Sequence, residues 1–413
     1  MKLFKTKTNS NLFTNVLNQV LGIGFPILIQ FYTIRHFNIS DLGYLSLLNS
    51  YWTIFTLGLS FFNFYLLKVF ASKKDENDVK SYLTNATVLM YTFNLIPFMV
   101  LLGYLYFTYP AIFKITLLTS LPVITAPLSF EIYFQAILRN SYILFRRIVV
   151  RVLFVLLMFC FARSSDDFIV YVYIFCLSST LENLINLFVI NKYISFRLVN
   201  IKIIRDVLKN SLSYLPFNLT YNLMPNLAII GASAFISIEQ VSIYSILIRI
   251  INLATSFITS AVMVLYPIKI SQRQSEGQAA FNDRKYLKNT ILVALGVAGA
   301  MIATHKIIFF FFLEKHRIDD MLLQFAVLSA FIVFHSTYNY LTFNYYFIKN
   351  RLFFISTANV LLLVLYGIEL LLVKLNIMSF NFSLIYIIPY LIILTMLFID
   401  LKSDLYPRFK TNN

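Results

Sequence analysis

Hydrophobic segments long enough to cross a bilayer follow one another along almost the whole chain, and that pattern leaves few folds open. A membrane-spanning helix needs roughly 20 predominantly apolar residues. Such segments run near 12–35, 44–67, 82–107, 115–138, 148–162, 168–190, 212–236, 241–267, 289–312, 321–347, 352–373 and 378–399. Hydrocarbon offers no water to backbone amides, so each span must satisfy its own hydrogen bonds as a helix. The expected fold is an all-α polytopic membrane protein with twelve transmembrane helices. Composition agrees: 59% of residues are hydrophobic and 13% charged, against about 25% charged in soluble domains. The first segment is rich in Asn and Gln and lacks a small-x-small cleavage site, so a cleaved signal peptide is not expected.

The net charge of +16 could suggest nucleic acid, but its distribution argues against that. With a cytoplasmic N-terminus, most Lys and Arg fall in cytoplasmic loops and tails, as the positive-inside rule requires. These groups include Lys2, Lys5 and Lys7, then Lys73, Lys74 and Lys80, then Arg139, Arg146, Arg147 and Arg151, and later Lys402, Arg408 and Lys410. Both termini are expected inside. Nucleic acid is not an expected partner; the lipid bilayer is. Cys160 and Cys176 lie in expected spans and say nothing of redox compartment.

The stretch from Ser211 to Ile270 carries the strongest functional signal. It reads as two apolar helices joined by a short turn at Ser237 to Gln240. Ser242, Ser245, Arg249, Asn252, Ser256 and Thr259 recur at steps of three and four, which places them on one helix face. An arginine at that depth costs about 2.5 to 3.5 kcal/mol on insertion scales, so it normally faces a bundle interior or a wet cavity. The preceding helix has a polar side through Tyr214, Asn218, Asn222 and Asn226, interrupted by Pro216 and Pro225.

Spans one and two resemble this pair. The first has Asn11, Asn15, Asn18, Gly22, Pro26 and Gln30 on one side; the second has Ser46, Asn49, Thr53, Thr56, Ser60 and Asn63. A shift of 199 residues superposes Pro26 on Pro225, Ile39 on Ile238, Ser46 on Ser245, Ser50 on Arg249 and Thr53 on Asn252. That internal repeat divides the chain into two six-helix lobes, residues 1–200 and 201–413, related by an axis along the membrane normal. A central cavity between the lobes is expected to be lined by spans one, two, seven and eight. The same stripes could instead be interhelical hydrogen-bond glue.

Among the other spans, Glu131, Gln135 and Arg139 lie four residues apart, Glu182 sits with Asn183 and Asn186, and His335, Asn339, Thr342 and Tyr346 share a face. Glu131 and Glu182 are expected to pair with Arg139 or Arg146 near the membrane interface, or to couple an ion. Lys306 either snorkels outward or touches substrate. Arg249 either contacts substrate or pairs with Glu131 or Glu182. No phosphate loop, HExxH motif or Cys/His cluster is present, so no enzyme, cofactor or metal is expected.

Two features resemble the O-antigen-type polysaccharide-lipid flippases of the multidrug/oligosaccharidyl-lipid/polysaccharide exporter superfamily. They are the Asn-rich first span ending IRHFNISDLGYL and the second-half opening SLSYLPFNLTYNLMPNLAIIGASAFISIEQVSIYSILIRI, with Tyr244 and Arg249 five residues apart. The resemblance implies translocation of an undecaprenyl-diphosphate-linked oligosaccharide, an O-antigen or capsule unit, to the outer leaflet of a bacterial inner membrane. Arg249 then takes the family's basic position. A coupling proton or sodium ion and a downstream polysaccharide polymerase are the further partners implied. The competing expectations are a cation-coupled drug or metabolite exporter of the same fold, and a membrane-embedded polymerase or ligase, which the short outer loops oppose.

Overall fold

The computed structural model describes residues 21, 25, 28–72, 75–136, 139–191, 194–212, 223, 226–276, 283–313, 322–346, 351–379 and 381–405. Among the described residues every regular element is helical. Residues 28–36 form a helical stretch, followed by α1 (Ile39–Ser72), α2 (Glu76–Thr108), α3 (Phe113–Thr125), α4 (Glu131–Ala136), α5 (Asn140–Phe161), α6 (Phe168–Ile190) and α7 (Ile201–Leu212). Then come α8 (Ile238–Glu276), α9 (Asp283–Ala303), α10 (His305–Leu313), α11 (Leu322–Leu341), α12 (Leu352–Lys374) and α13 (Phe382–Leu405). Eight described helices are long and apolar enough to cross a membrane. They coincide with the third, fourth, sixth and eighth to twelfth expected spans.

Helix starts follow from local chemistry. The turn expected at Ser237 to Gln240 is a capping box: Gln240 N–H donates to Ser237 Oγ at 3.3 Å, and Ser237 N–H donates to Gln240 Oε1 at 3.4 Å. Asn38 and Asp41, 199 positions earlier, bridge side chain to side chain at 3.2 Å. Helices α1 and α8 thus begin at Ile39 and Ile238, and 238 − 39 = 199, the offset read from the sequence. Asp75 caps α2 by accepting from Asn77 N–H at 3.2 Å. Ser164 and Asp167 form a second capping box before α6.

The chain forms two compact units, Met1–Ser242 and Ile243–Asn413. In the first, Phe62, Leu66 and Phe70 of α1 meet Leu83, Ala86 and Leu89 of α2, together with Phe134, Ile143, Ile190 and Val207. Fully burying each such side chain contributes about 1.5–3 kcal/mol where water is the alternative. A second cluster joins Leu48 and Trp52 to Leu105 and Val123, and Trp52 Nε1–H donates to Thr119 Oγ1 at 2.9 Å. Val207 on the inner side of α7 reaches the first cluster. The Tyr65 hydroxyl fixes α7 through Asp206 Oδ2 at 2.6 Å.

In the second unit α11 packs against α9 and α13, and α12 packs against α13. Tyr390 of α13 makes edge contacts with Phe331 and Tyr338 of α11. The end of α11 widens into a π-turn, Thr342–Tyr346. There the Tyr346 hydroxyl donates to Asp400 Oδ2 at 3.0 Å, and Arg351 pairs with the same carboxylate at 2.9 Å.

The largest departure from the sequence reading is α5. Arg146, Arg147 and Arg151 were expected among the cytoplasmic basic residues at the start of a span running near 148–162. The helix instead starts at Asn140 and carries all three arginines, with Arg146 only 4% exposed. The physical reason is periodicity. Ile143, Arg146, Val150, Phe154 and Met158 form one buried face at steps of three and four, so Arg146 continues an apolar packing stripe.

Candidate functional site

Polar side chains gather at two places, one in each compact unit. In the second unit the expected α8 stripe divides by burial. Ser245 and Thr259 are buried, Asn252 and Ser256 are half-buried, and Arg249 is exposed. Ser242, which starts the stripe and is the last residue of the first unit, is also buried. The stretch Ile238–Thr259 around them is 67% buried in its most apolar window, against 17 to 56% for the other candidate spans. Arg249 is thus an exposed position between buried neighbours, Ile248 and Ile250. The Ser256 hydroxyl donates to Asn252 O at 2.6 Å and Thr255 Oγ1 to the same carbonyl at 2.8 Å, so these hydroxyls are tied to their own backbone.

Helix α11 contributes more to this polar region than its sequence suggested. His335, Asn339, Thr342 and Tyr346, the expected shared face, are all buried. Asn339 Nδ2 donates to Thr259 Oγ1 at 3.0 Å, which links α11 to the α8 stripe. Tyr338 bonds Asn359 on α12, and Tyr244 bonds Gln324 at the other end of α11. The pair formed by Arg351 and Asp400 was not read from the sequence. Their separation of 49 residues offers no periodic signal.

In the first unit, Gln30, Asn49 and Thr53 are placed as follows. Gln30 is buried at 7%, Asn49 and Thr53 are half-buried, and Thr53 Oγ1 donates to Asn49 O at 2.7 Å. Ser46 and Ser50 are buried, and Ser50 Oγ donates to Ser46 O at 2.9 Å. Asn226 is half-buried at the start of the helical stretch 226–233. Asn15, Asn18, Asn218 and Asn222 lie outside the described residues.

Among the charged residues one expected pair forms, Glu131 with Arg146, and a second arginine joins it. Glu131 bridges Arg146 and Arg147: its Oε1 accepts from Arg146 Nη2 and its Oε2 from Arg147 Nη2 at 2.7 Å. Arg139, the other expected partner, is exposed and bonds through its backbone N–H to Phe134 O at 2.9 Å. Glu182 is half-buried on α6, within electrostatic reach of Arg146, Arg151 and Arg147. Arg151 donates to Leu21 O and lies 5.0 Å over the Phe25 ring. Lys306 is exposed at the start of α10. A cavity of about 190 Å³ opens beside this cluster, with Glu131, Ser129, Phe130, Thr56 and Thr87 among its lining residues.

No protein-family model matches the sequence, and no curated protein matches it. Solved structures do. One is an inward-facing multidrug resistance MATE family transporter of the MOP superfamily, similar over 96% of each chain with a TM-score of 0.59 and 13% identity. Another is the eukaryotic MATE transporter AtDTX14, similar over 97% of this chain and 96% of that one, with a TM-score of 0.60 and 12% identity. The chain has the fold of these transporters from end to end.

Proposed function

We propose that this chain is a membrane exporter that moves its cargo outward by alternating access of two lobes, 1–200 and 201–413, coupled to a proton or sodium gradient. The observation that carries the reading is the fold likeness to two transporters over at least 96% of this chain. A drug or a small metabolite is the cargo class that follows, since one of the similar structures is a multidrug resistance transporter. The orientation proposed has both termini on the cytoplasmic side, because basic residues there satisfy the positive-inside rule.

A second cargo has its own support. Three arginines, Arg146, Arg147 and Arg151, lie buried or half-buried within six residues of α5, and Arg249 lies on α8. Guanidinium groups suit phosphate-bearing cargo, with planar paired donors, and Asn, Ser and Thr supply hydrogen bonds for sugar hydroxyls. An undecaprenyl-diphosphate-linked oligosaccharide, carried across a bacterial inner membrane ahead of a polymerase, has that chemistry. Moving each negative charge outward through an inside-negative potential is favourable by about 2.3 kcal/mol per 100 mV.

One experiment separates the two. Cells expressing the chain are scored for drug efflux, and cells lacking it for lipid-linked sugar held on the cytoplasmic face. Drug resistance with normal surface glycan supports the first cargo; accumulation of inward-facing lipid-linked sugar supports the second. Neither effect would remove the export reading.

A further inference from the structure

We propose that the cluster of α4, α5 and α6 in the first unit binds a phosphate-bearing anion, and that Glu131 occupies this site in place of the ligand. One carboxylate here serves two guanidinium groups, those of Arg146 and Arg147. Arg151 lies one turn further along α5, and Glu182 is within electrostatic reach of all three arginines. Three guanidinium groups therefore face two carboxylates, which leaves an excess of positive charge where one side chain, Arg146, is 2% exposed.

Unmade hydrogen bonds point the same way. Arg146 Nε and Nη1 are buried with no partner, and so is the Tyr142 hydroxyl one turn before it. Leaving charged donors dry and unpaired is costly, so a fold that retains them invites a ligand that satisfies them. A carboxylate has two oxygens, and Glu131 has committed both. A phosphate has at least three acceptor oxygens. It can replace the two carboxylate oxygens and still reach an unsatisfied donor.

A cavity meets the cluster at Glu131, the member of the cluster among its lining residues. The cavity of about 190 Å³ brings Glu131 within reach, and Leu66, Phe70, Leu83 and Met90 make much of its wall apolar. An anion carried on an apolar stem matches that lining. Phe130, the residue before Glu131, holds a left-handed backbone with φ of 46°. Bulky residues adopt that conformation at a cost and are found there where a site demands it. The strained corner turns α4 so that its first residue, Glu131, lines the cavity.

This inference rests on the second cargo reading, which gives the same arginines a phosphate-bearing cargo, and it is tested separately because binding is measured without transport. The full chain in lipid nanodiscs is titrated with inorganic pyrophosphate and, separately, with geranylgeranyl diphosphate, using wild type, Glu131→Gln and Arg147→Gln, each checked by thermal unfolding. Glu131→Gln keeps the side chain's shape and removes the competing charge, so binding should tighten about tenfold or more, while Arg147→Gln should lose it. Tightening for both probes identifies a site for the free anion; tightening for the prenyl probe alone identifies a lipid headgroup site. Folded Glu131→Gln protein that binds neither probe better than wild type overturns the proposal, since a purely structural carboxylate gives that result. Transport assays that fail while Glu131→Gln tightens binding would remove the exporter reading and leave this site standing.

Discussion

Gly43 of α1 lies directly against the backbone of Ile238, the first residue of α8. A Cβ at position 43 would overlap the Ile238 carbonyl oxygen and sit 3.1 Å from its carbonyl carbon. Both residues belong to the first compact unit, Met1–Ser242. The two helices that touch here are also those related by the 199-residue repeat, so the starts of equivalent helices meet at a glycine. Close approach of this kind is a common use of small residues where membrane helices cross.

The contact predicts an inverted sign. Replacing a helical glycine by alanine ordinarily stabilises by roughly 0.5–1 kcal/mol. At Gly103, Gly296, Gly299 and Gly367 a Cβ meets nothing within 4 Å, so alanine there should be neutral or raise the unfolding temperature in detergent. Gly43→Ala should lower it, because the obstacle is backbone and cannot rotate away. A raised unfolding temperature for Gly43→Ala would show that the crossing does not form.

Trp52 is the single tryptophan of the chain and gives a direct reporter of the first unit. It is 3% exposed, stacks on Phe98 at 5.5 Å and donates to Thr119 Oγ1. Thr119→Val keeps the volume and removes the acceptor, at a cost of about 1–3 kcal/mol for a buried donor left unmade. The expected result is a blue shift of emission with lower thermal stability. Unchanged emission in Thr119→Val would place the indole N–H elsewhere.

The ion cluster predicts non-additivity. Glu131→Ala leaves the buried Arg146 guanidinium without its acceptor, and breaking a buried pair this way costs about 3–5 kcal/mol. Arg147 and Glu131 are partly exposed, which brings the expectation toward the lower end. The double change Glu131→Ala with Arg146→Ala should cost less than the sum of the single changes, with a coupling of about 0.5–3 kcal/mol. Additive losses in unfolding measurements would mean the groups do not interact.

Legibility in the sequence followed the range of the interaction. The start of α8 was visible because its signal is local: a Ser-x-x-Gln pattern ahead of an apolar run, matched 199 residues earlier by Asn38 and Asp41. The α8 stripe was visible for the same reason, since periodicity of three and four along one helix needs no partner. The Arg146 cluster was legible in part: the pairing of Glu131 with Arg146 was one expected alternative, but the burial of the arginines in α5 was not. Three arginines in six residues read as cytoplasmic under the positive-inside rule, although Ile143, Val150, Phe154 and Met158 already set out a packing face that passes through Arg146. The link between Asn339 and Thr259 and the pair of Arg351 and Asp400 depend on tertiary placement, which no spacing encodes. For the proposed cargo the sequence offered only chemistry, cationic and amide groups on apolar helices.

The most direct test of the exporter reading is gradient-dependent movement in reconstituted vesicles. Purified protein in proteoliposomes is given an imposed proton or sodium gradient, and two probes are followed across the bilayer, an organic dye and a labelled prenyl-diphosphate sugar. The account predicts that one of them moves faster than in protein-free vesicles, that Arg249→Ala abolishes the movement and that Arg249→Lys retains part of it. Equal movement of both probes with and without the protein, under either gradient, would contradict it.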